Sequence, residues 1–202
     1  MAAVKVTRIL EIPLVYRLWM APWAERKLAP LLSRVDLSRV RRVLDVGCGP
    51  GTNTPHFKGV DYLGIDINEQ YVEQARRRFG KRFIAADVTQ YRVADHERFD
   101  LILVNSLLHH IDGESSHRLL SHLSGLLSDD GRVHIVELVR PPEKGIPQRL
   151  ADWDRGEHPR PAGEWRAHFN QVFHEVAWEP FELHALGVKL WEMVYYQGSA
   201  RR

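Results

Sequence analysis

At 202 residues, with 44% hydrophobic and 27% charged residues, the chain has the length and composition of one globular domain with its own core. Lys and Arg number 28 against 26 Asp and Glu, and a formal net charge of +2 gives no electrostatic case for nucleic acid. A single cysteine excludes an internal disulfide and a cysteine-based metal cluster, no apolar run reaches the length of a membrane span, and no signal-peptide pattern opens the chain, so a cytoplasmic location is expected.

Residues 1 to 39 precede the first core strand. The stretch from Ile9 to Met20 is apolar with scattered charges, and Pro13, Pro22 and Pro30 predict that the region is cut into short helical pieces. One reading is a helical cap packed on the sheet edge. Another is contact with a membrane surface, with Trp19 and Trp23 among headgroups and Lys5, Arg8 and Arg17 toward lipid phosphate.

Val43-Leu44-Asp45-Val46 reads as a buried strand running into Gly47-Cys48-Gly49-Pro50-Gly51-Thr52. Glycines at that place let backbone approach a ligand closely, because no Cβ stands in the way. Cys48 falls where the turn needs a small side chain. Asp45, inside the strand just before the turn, suits a cationic ammonium better than a pyrophosphate. A second acid, Asp66, ends the apolar run Tyr62 to Ile65, where a carboxylate can accept two hydrogen bonds from ribose hydroxyls. Together these signals point to a nucleoside-containing cofactor. The dinucleotide fingerprint needs a third glycine at position 52, which is Thr52, and Pro55 interrupts the helix that should follow. A nicotinamide-dependent oxidoreductase is therefore disfavoured.

Asn53 and Thr54 should cap about one helical turn before the second strand, Tyr62 to Ile67. Asn68 is a good N-cap for a helix carrying Tyr71, Val72, Ala75 and Phe79 on one face. Arg76, Arg77 and Arg78 then form its solvated face and Gly80 its stop. Arg82 to Asp87 reads as the third strand. Phe99 to Asn105, the most apolar, reads as the fourth and central one. In an open α/β sheet, ligands bind at the carboxyl ends of the strands, so Asn105 to His110 should border the site. Leu119, Leu120, Leu123, Leu126 and Leu127 mark an amphipathic helix that starts near Ser115 or Ser116. Gly131 opens a fifth strand, Val133 to Leu138, with Glu137 near its end facing substrate. Residues 140 to 164 are polar and proline-rich. Within them Arg149 to Arg160, including Asp154 and Arg155, is too rich in charge and aromatics for a plain linker. A surface helix with internal ion pairs is one account of it. Trp165 to Phe173 should be helical. Two strands, His174 to Leu186 and Leu190 to Gln197, close the chain as a hairpin through Leu186-Gly187-Val188. The expected fold is α/β and Rossmann-like. It is a mostly parallel sheet of seven strands with helices on both faces, an antiparallel last strand and an N-terminal helical cap.

The run from Val43 to Gly51, apolar-apolar-Asp-apolar-Gly-x-Gly-x-Gly, resembles motif I of the class I S-adenosylmethionine (SAM)-dependent methyltransferases, and of their small-molecule, methyltransferase-11-like group. The resemblance covers residues 41 to 139. It implies SAM as cofactor, bound by Asp45, Gly47, Cys48, Gly49 and Asn53 on the methionine side and by Asp66 and Ile67 at the ribose. Asp87 and Val88 would then serve the adenine, with Asn105 and Ser106 toward the methyl. It also implies a lid over the site from the N-terminal pieces, Trp19 included, and a second substrate lid after the fifth strand. The chain divides accordingly into a cap (1–39), a SAM-binding core (41–139), a substrate lid (140–173) and a closing hairpin (174–197), all one domain. His109 or His110, at the end of the fourth strand, is the candidate general base. Glu137, Asp154, Arg155 and Trp19 are the candidate substrate contacts. No metal is expected. The acceptor should be small and partly apolar, taking the methyl on oxygen, nitrogen or carbon. A SAM-binding protein without catalysis is the remaining alternative.

Overall fold

The computed structural model describes residues 13–92, 94, 97–153 and 157–201; for residues 13–22, 24 and 153 it describes the backbone. The first strand, β1 (Arg42–Val46), is followed by β2 (Asp61–Asp66), β3 (Arg82–Ala85), β4 (Phe99–Asn105), β5 (Leu127–Val139), β6 (Phe173–Ala185) and β7 (Val188–Ala200). They form one seven-stranded sheet in the order β3-β2-β1-β4-β5-β7-β6. The strands from β3 to β5 are parallel, and β7 runs antiparallel to both β5 and β6. The mostly parallel seven-stranded sheet and antiparallel last strand are thus as the sequence predicts. Strand order reverses between β1 and β4, the point at which open α/β sheets bind ligands.

Alternation along β4 sorts the core. Ile102 and Val104 face one side with α3 (Gly113–Gly125) and α5 (Ala162–Asn170), which contribute Leu119, Leu120, Leu123, Trp165 and Phe169. Leu101 and Leu103 face the other side with α1 (Pro13–Arg34), α2 (Glu69–Phe79) and α4 (Ile146–Trp153), which contribute Leu28, Leu31, Val72, Ala75 and Ala151. Burial on both faces is what a near-continuous apolar strand demands. Asn68 caps α2 by accepting from the Tyr71 N–H, and Gly80 ends it in the left-handed conformation at φ 59°.

The N-terminal expectation needs correcting. Pro22 and Pro30 do not divide α1, which runs unbroken for 22 residues. Each proline removes one internal hydrogen bond, but Leu28 and Leu31 are fully buried and Pro30 is buried beside them, so tertiary packing overrides the local penalty. The helix docks on the β6–β7 hairpin. Trp23 meets Trp191 edge-on at 5.1 Å, Arg26 donates to the His184 carbonyl at 2.8 Å, and Arg34 pairs with Glu179 at 2.5 Å. Trp23 thereby packs against the hairpin.

Several strand ends also move. β2 stops at Asp66, leaving Ile67 outside it, and β3 stops at Ala85, leaving Asp87 in the turn. Leu126 and Leu127 lie beyond α3. β5 starts early because Leu127 pairs with Phe99 before the register shifts, and a Cβ on Gly131 would stand 2.6 Å from the Phe99 carbonyl.

Candidate cofactor and acceptor site

The turn after β1 is held by the backbone. The Gly47 and Cys48 N–H groups both donate to the Ile65 carbonyl, at 2.8 and 3.0 Å, which ties β1 to β2 at their carboxyl ends. Gly47 has φ 74°, which favours glycine, and a Cβ there would sit 3.1 Å from the Leu107 methyls, a tight approach. The expected single helical turn follows as a 3-10 turn, Thr54–His56, with Pro55 inside it.

Asp66 stands across from this turn. Its Oδ2 accepts from the Gly49 N–H and its Oδ1 from the Asn68 N–H, both at 2.8 Å. Burial raises its pKa, and these two donors oppose the rise. A carboxylate oxygen accepts more than one hydrogen bond, so each oxygen keeps capacity for a ligand hydroxyl. Thr52 Oγ1, in the same turn, is buried and has no hydrogen-bond partner among the described residues. A glycine cradle, a carboxylate with spare acceptor capacity and an orphaned hydroxyl fit a ribose-bearing cofactor with polar groups at its other end. Ile67, beside Asp66, is 73% exposed, an apolar surface at the lip of the site. Asp87 lies one residue past Ala86, whose N–H donates to the Asp66 carbonyl. The Asp87 carboxylate holds its own turn through the Thr89 N–H and hydroxyl and the Gln90 amide, while Val88 is buried in the core.

Of the expected cofactor set, Asp45 and Cys48 are buried. Asp45 is fully buried. Its carboxylate accepts the Tyr62 hydroxyl at 2.6 Å and the Asn53 amide at 3.2 Å. Burial without a cation pushes its pKa up to about 6, against the pull of those two donors. The Cys48 thiol likewise points inward, toward Gly64, and burial pushes its pKa up.

From Asp45 a polar ladder runs sideways to α1. The Asn53 side-chain Oδ1 accepts from the Asn105 side-chain amide at 3.3 Å, and the Asn105 Oδ1 accepts from the Ser106 hydroxyl at 3.2 Å. That hydroxyl accepts from the Lys27 ammonium at 2.9 Å. Asn53, Asn105 and Ser106 are therefore brought together as one unit. Lys27 escaped the sequence reading, since a lysine on a helix 79 residues from its partner carries no local signal. Ser106 takes φ 54°, an unusual left-handed conformation for a residue with a side chain, where β4 opens into its loop.

The next residues form a 3-10 turn, Leu108–His110, built on Glu137. Glu137 is fully buried at the end of β5. Its Oε2 accepts the Leu108 N–H and its Oε1 the Leu138 N–H, each at 2.8 Å, and Oε1 also makes a short hydrogen bond with His109 Nδ1. Burial alone would raise its pKa; the His109 ring and the two N–H donors more than offset that, and the pKa is lowered. The hydrogen bonds of Glu137 among the described residues all run to the protein interior. His109 is almost fully buried, and His110 beside it is exposed, their ring centroids 4.1 Å apart. The His158 N–H donates to the His109 carbonyl at 2.9 Å, fastening the segment after β5 to this loop. The other candidate substrate contacts, Asp154, Arg155 and the Trp19 side chain, lie outside the described residues.

Residues 43–131 match the family model described as a methyltransferase domain. Among curated relatives, trans-aconitate 2-methyltransferase of Paracidovorax citrulli is 34% identical over 106 residues, covering 50% of this chain and 40% of that one. The Rhizobium etli protein of the same name is 32% identical over 150 residues, covering 70% and 53%. The chain spans about half the length of these relatives. Among solved structures, the N-methyltransferase NodS of Bradyrhizobium japonicum, in complex with S-adenosyl-L-homocysteine, superposes with a TM-score of 0.69 at 19% identity, covering 89% of this chain and 88% of that one. Mitomycin 7-O-methyltransferase MmcR gives 0.71 at 16% identity, covering 95% and 60%. At such identities the likeness is one of fold.

Proposed function

Because the chain has the class I SAM-dependent methyltransferase fold, we propose that it transfers a methyl group from SAM to a small acceptor. The observation that carries this reading is Asp66, each oxygen held by one backbone N–H and each with acceptor capacity left, facing a glycine turn with an unpartnered threonine hydroxyl. The Asp66 carboxylate accepts the two ribose hydroxyls. The Gly47–Gly49 backbone and Thr52 Oγ1 take the methionine end, Ile67 flanks the ribose and adenine, and Asp87 with Val88 closes the adenine side. When bound, SAM supplies an electrophilic methyl on a sulfonium.

The acceptor then belongs over the carboxyl ends of β4 and β5, beside Ser106 and His109. Glu137, ionised by its own bonds, fixes a proton on His109 Nδ1, so proton exchange with the acceptor runs through Nε2. His109 would take the proton that a hydroxyl or amine acceptor gives up as the acceptor's lone pair displaces S-adenosyl-L-homocysteine from the methyl carbon. Holding donor and acceptor in line contributes most to the rate, on the order of 7–11 kcal/mol. A second reading has one observation in its favour: the curated relatives are named for trans-aconitate, a tricarboxylate. A carboxylate is already ionised at neutral pH, and His109 would then position the acceptor without removing a proton.

The test is incubation of the protein with SAM and a metabolite extract, read by mass spectrometry. A SAM-dependent gain of one methylene in a small molecule supports the reading. A protein that binds SAM and methylates nothing in extracts from several sources would leave it a binding protein.

A further inference from the structure

Arg160 lies where the acceptor is expected. It forms an isolated parallel bridge with Val139, the last residue of β5, and its carbonyl accepts the Arg140 N–H at 3.0 Å. Two residues earlier, His158 is bonded to the His109 carbonyl. The guanidinium is fixed in place. Its central carbon stacks 4.6 Å over the Trp165 ring, which is itself anchored by its Nε1 donating to the Leu138 carbonyl at 2.8 Å. Nη2 closes against Gly113, where a Cβ would approach it to 3.3 Å.

A guanidinium so placed should be fully bonded, and this one is not. Nη1 is buried and has no hydrogen-bond partner among the described residues. Nor does Arg160 form an ion pair there, although three carboxylates, Glu164, Glu137 and Asp112, act on it electrostatically. Two of them are committed elsewhere. Glu137 holds His109 and two backbone N–H groups, and Asp112 caps α3 through the Ser115 N–H. Glu164 is exposed. A half-buried guanidinium whose Nη1 donor is buried and unused is costly in a site that serves only the fold. It is the complement of an anion that arrives from outside.

We propose that Arg160 is the acceptor anchor and that the acceptor carries a carboxylate, which the guanidinium takes at the end of β5 next to His109. The planar fork of arginine matches a carboxylate and holds it in a defined plane. The inference rests on the reading that the acceptor binds at the ends of β4 and β5. It holds whether the methyl lands on that carboxylate or on another atom of the same molecule.

Calorimetry on the whole protein saturated with S-adenosyl-L-homocysteine tests it, with trans-aconitate, succinate and benzoate as probes and their methyl esters as uncharged controls. Wild type should bind at least one acid more tightly than its ester. Arg160→Gln should lose that acid by about 10–100-fold, the value of a charged hydrogen-bonded partner, while Arg160→Lys retains part of the preference. Affinity for S-adenosyl-L-homocysteine should be the same in all three proteins. If Arg160→Gln fails to fold, the acid-against-ester comparison in wild type and Arg160→Lys still decides. An acid preference that survives in Arg160→Gln, with or without a lowered melting temperature, gives Arg160 a structural role and overturns the proposal. So does wild-type protein that binds S-adenosyl-L-homocysteine but prefers no acid to its ester. Failure to bind S-adenosyl-L-homocysteine at all sinks the methyltransferase reading itself, a separate and distinguishable result.

Discussion

The two halves of the site use strand-end acids in opposite ways. At the ends of β1 and β2, Asp66 accepts one backbone N–H on each oxygen and keeps the rest of its capacity outward. At the end of β5, Glu137 spends its capacity inward, on His109 and two backbone N–H groups. The first arrangement leaves acceptor capacity for a ligand's donors. The second is a mount that fixes a ring and a loop. The chemistry of a carboxylate is the same in both, and what differs is which partners burial leaves for it. Asp45 marks a third case: sealed like Glu137, but with neutral partners and no cation, so its pKa moves up where that of Glu137 moves down.

The sharpest way to break this contrast is through the histidine. With an acceptor in hand, His109→Ala should lower turnover by roughly 10²–10⁴ while SAM affinity holds, if a proton is removed in the reaction. The exposed His110, changed to Ala, should leave turnover near wild type. Equal, full turnover in both variants would remove the base and favour a carboxylate acceptor that needs none.

Glu137→Ala comes next. It strands the His109 ring and the Leu108 and Leu138 N–H groups in a dry interior, and should cost about 3–5 kcal/mol of stability in urea unfolding. Glu137→Gln should cost less, since it still accepts from some of the same donors. A loss below about 1 kcal/mol for the alanine variant would mean that Glu137 is not the mount described.

Asp45 sharpens the contrast through pH. Its folded pKa of about 6 lies above its ordinary value of 3.8. The native state therefore holds this proton more tightly than the unfolded state does, and the contribution of Asp45 to stability falls as pH rises from about 4 to 6. Asp45→Asn deletes that titration. The stability of the variant minus that of wild type should rise across this window by about 2–3 kcal/mol. Glu137, lowered, has the opposite sign: its contribution is present above the ordinary glutamate value of 4.5 and is lost as pH falls below it. A flat difference for Asp45→Asn would show that the carboxylate finds a partner in solution beyond Tyr62 and Asn53.

The smallest effect belongs to the surface. Arg34 and Glu179 pair at 2.5 Å but are both well exposed, so Arg34→Ala should shift stability by less than about 1 kcal/mol. The α1 helix is held by Leu28, Leu31 and Trp23, not by this pair.

The cofactor half was legible in the sequence because its signals are local. A strand, a glycine turn and an acid at the next strand end follow one another within a few residues, and β4 runs from Phe99 to Asn105 as its apolar run predicts. Asn68 and Gly80 likewise mark the ends of α2 by cap chemistry alone. The acceptor half was not legible, because its contacts join residues far apart in the chain. His109 meets Glu137 across 28 positions and Lys27 meets Ser106 across 79. An acid in a strand reads the same whether its carboxylate faces a ligand or the core, so the full burial of Asp45 and Glu137 carries no local signal. Pro22 and Pro30 misled for a related reason: the local cost of a proline is visible in sequence, and the burial that offsets it is not.

The central claim, that the ends of β1 to β3 form a SAM site organised on Asp66, is tested most directly by titrating S-adenosyl-L-homocysteine into wild type and Asp66→Ala by calorimetry. Loss of the two ribose hydrogen bonds, about 1.5–3 kcal/mol each, predicts saturable binding to wild type that weakens at least tenfold in the variant. The same affinity in both proteins, or no binding to wild type, would contradict the account.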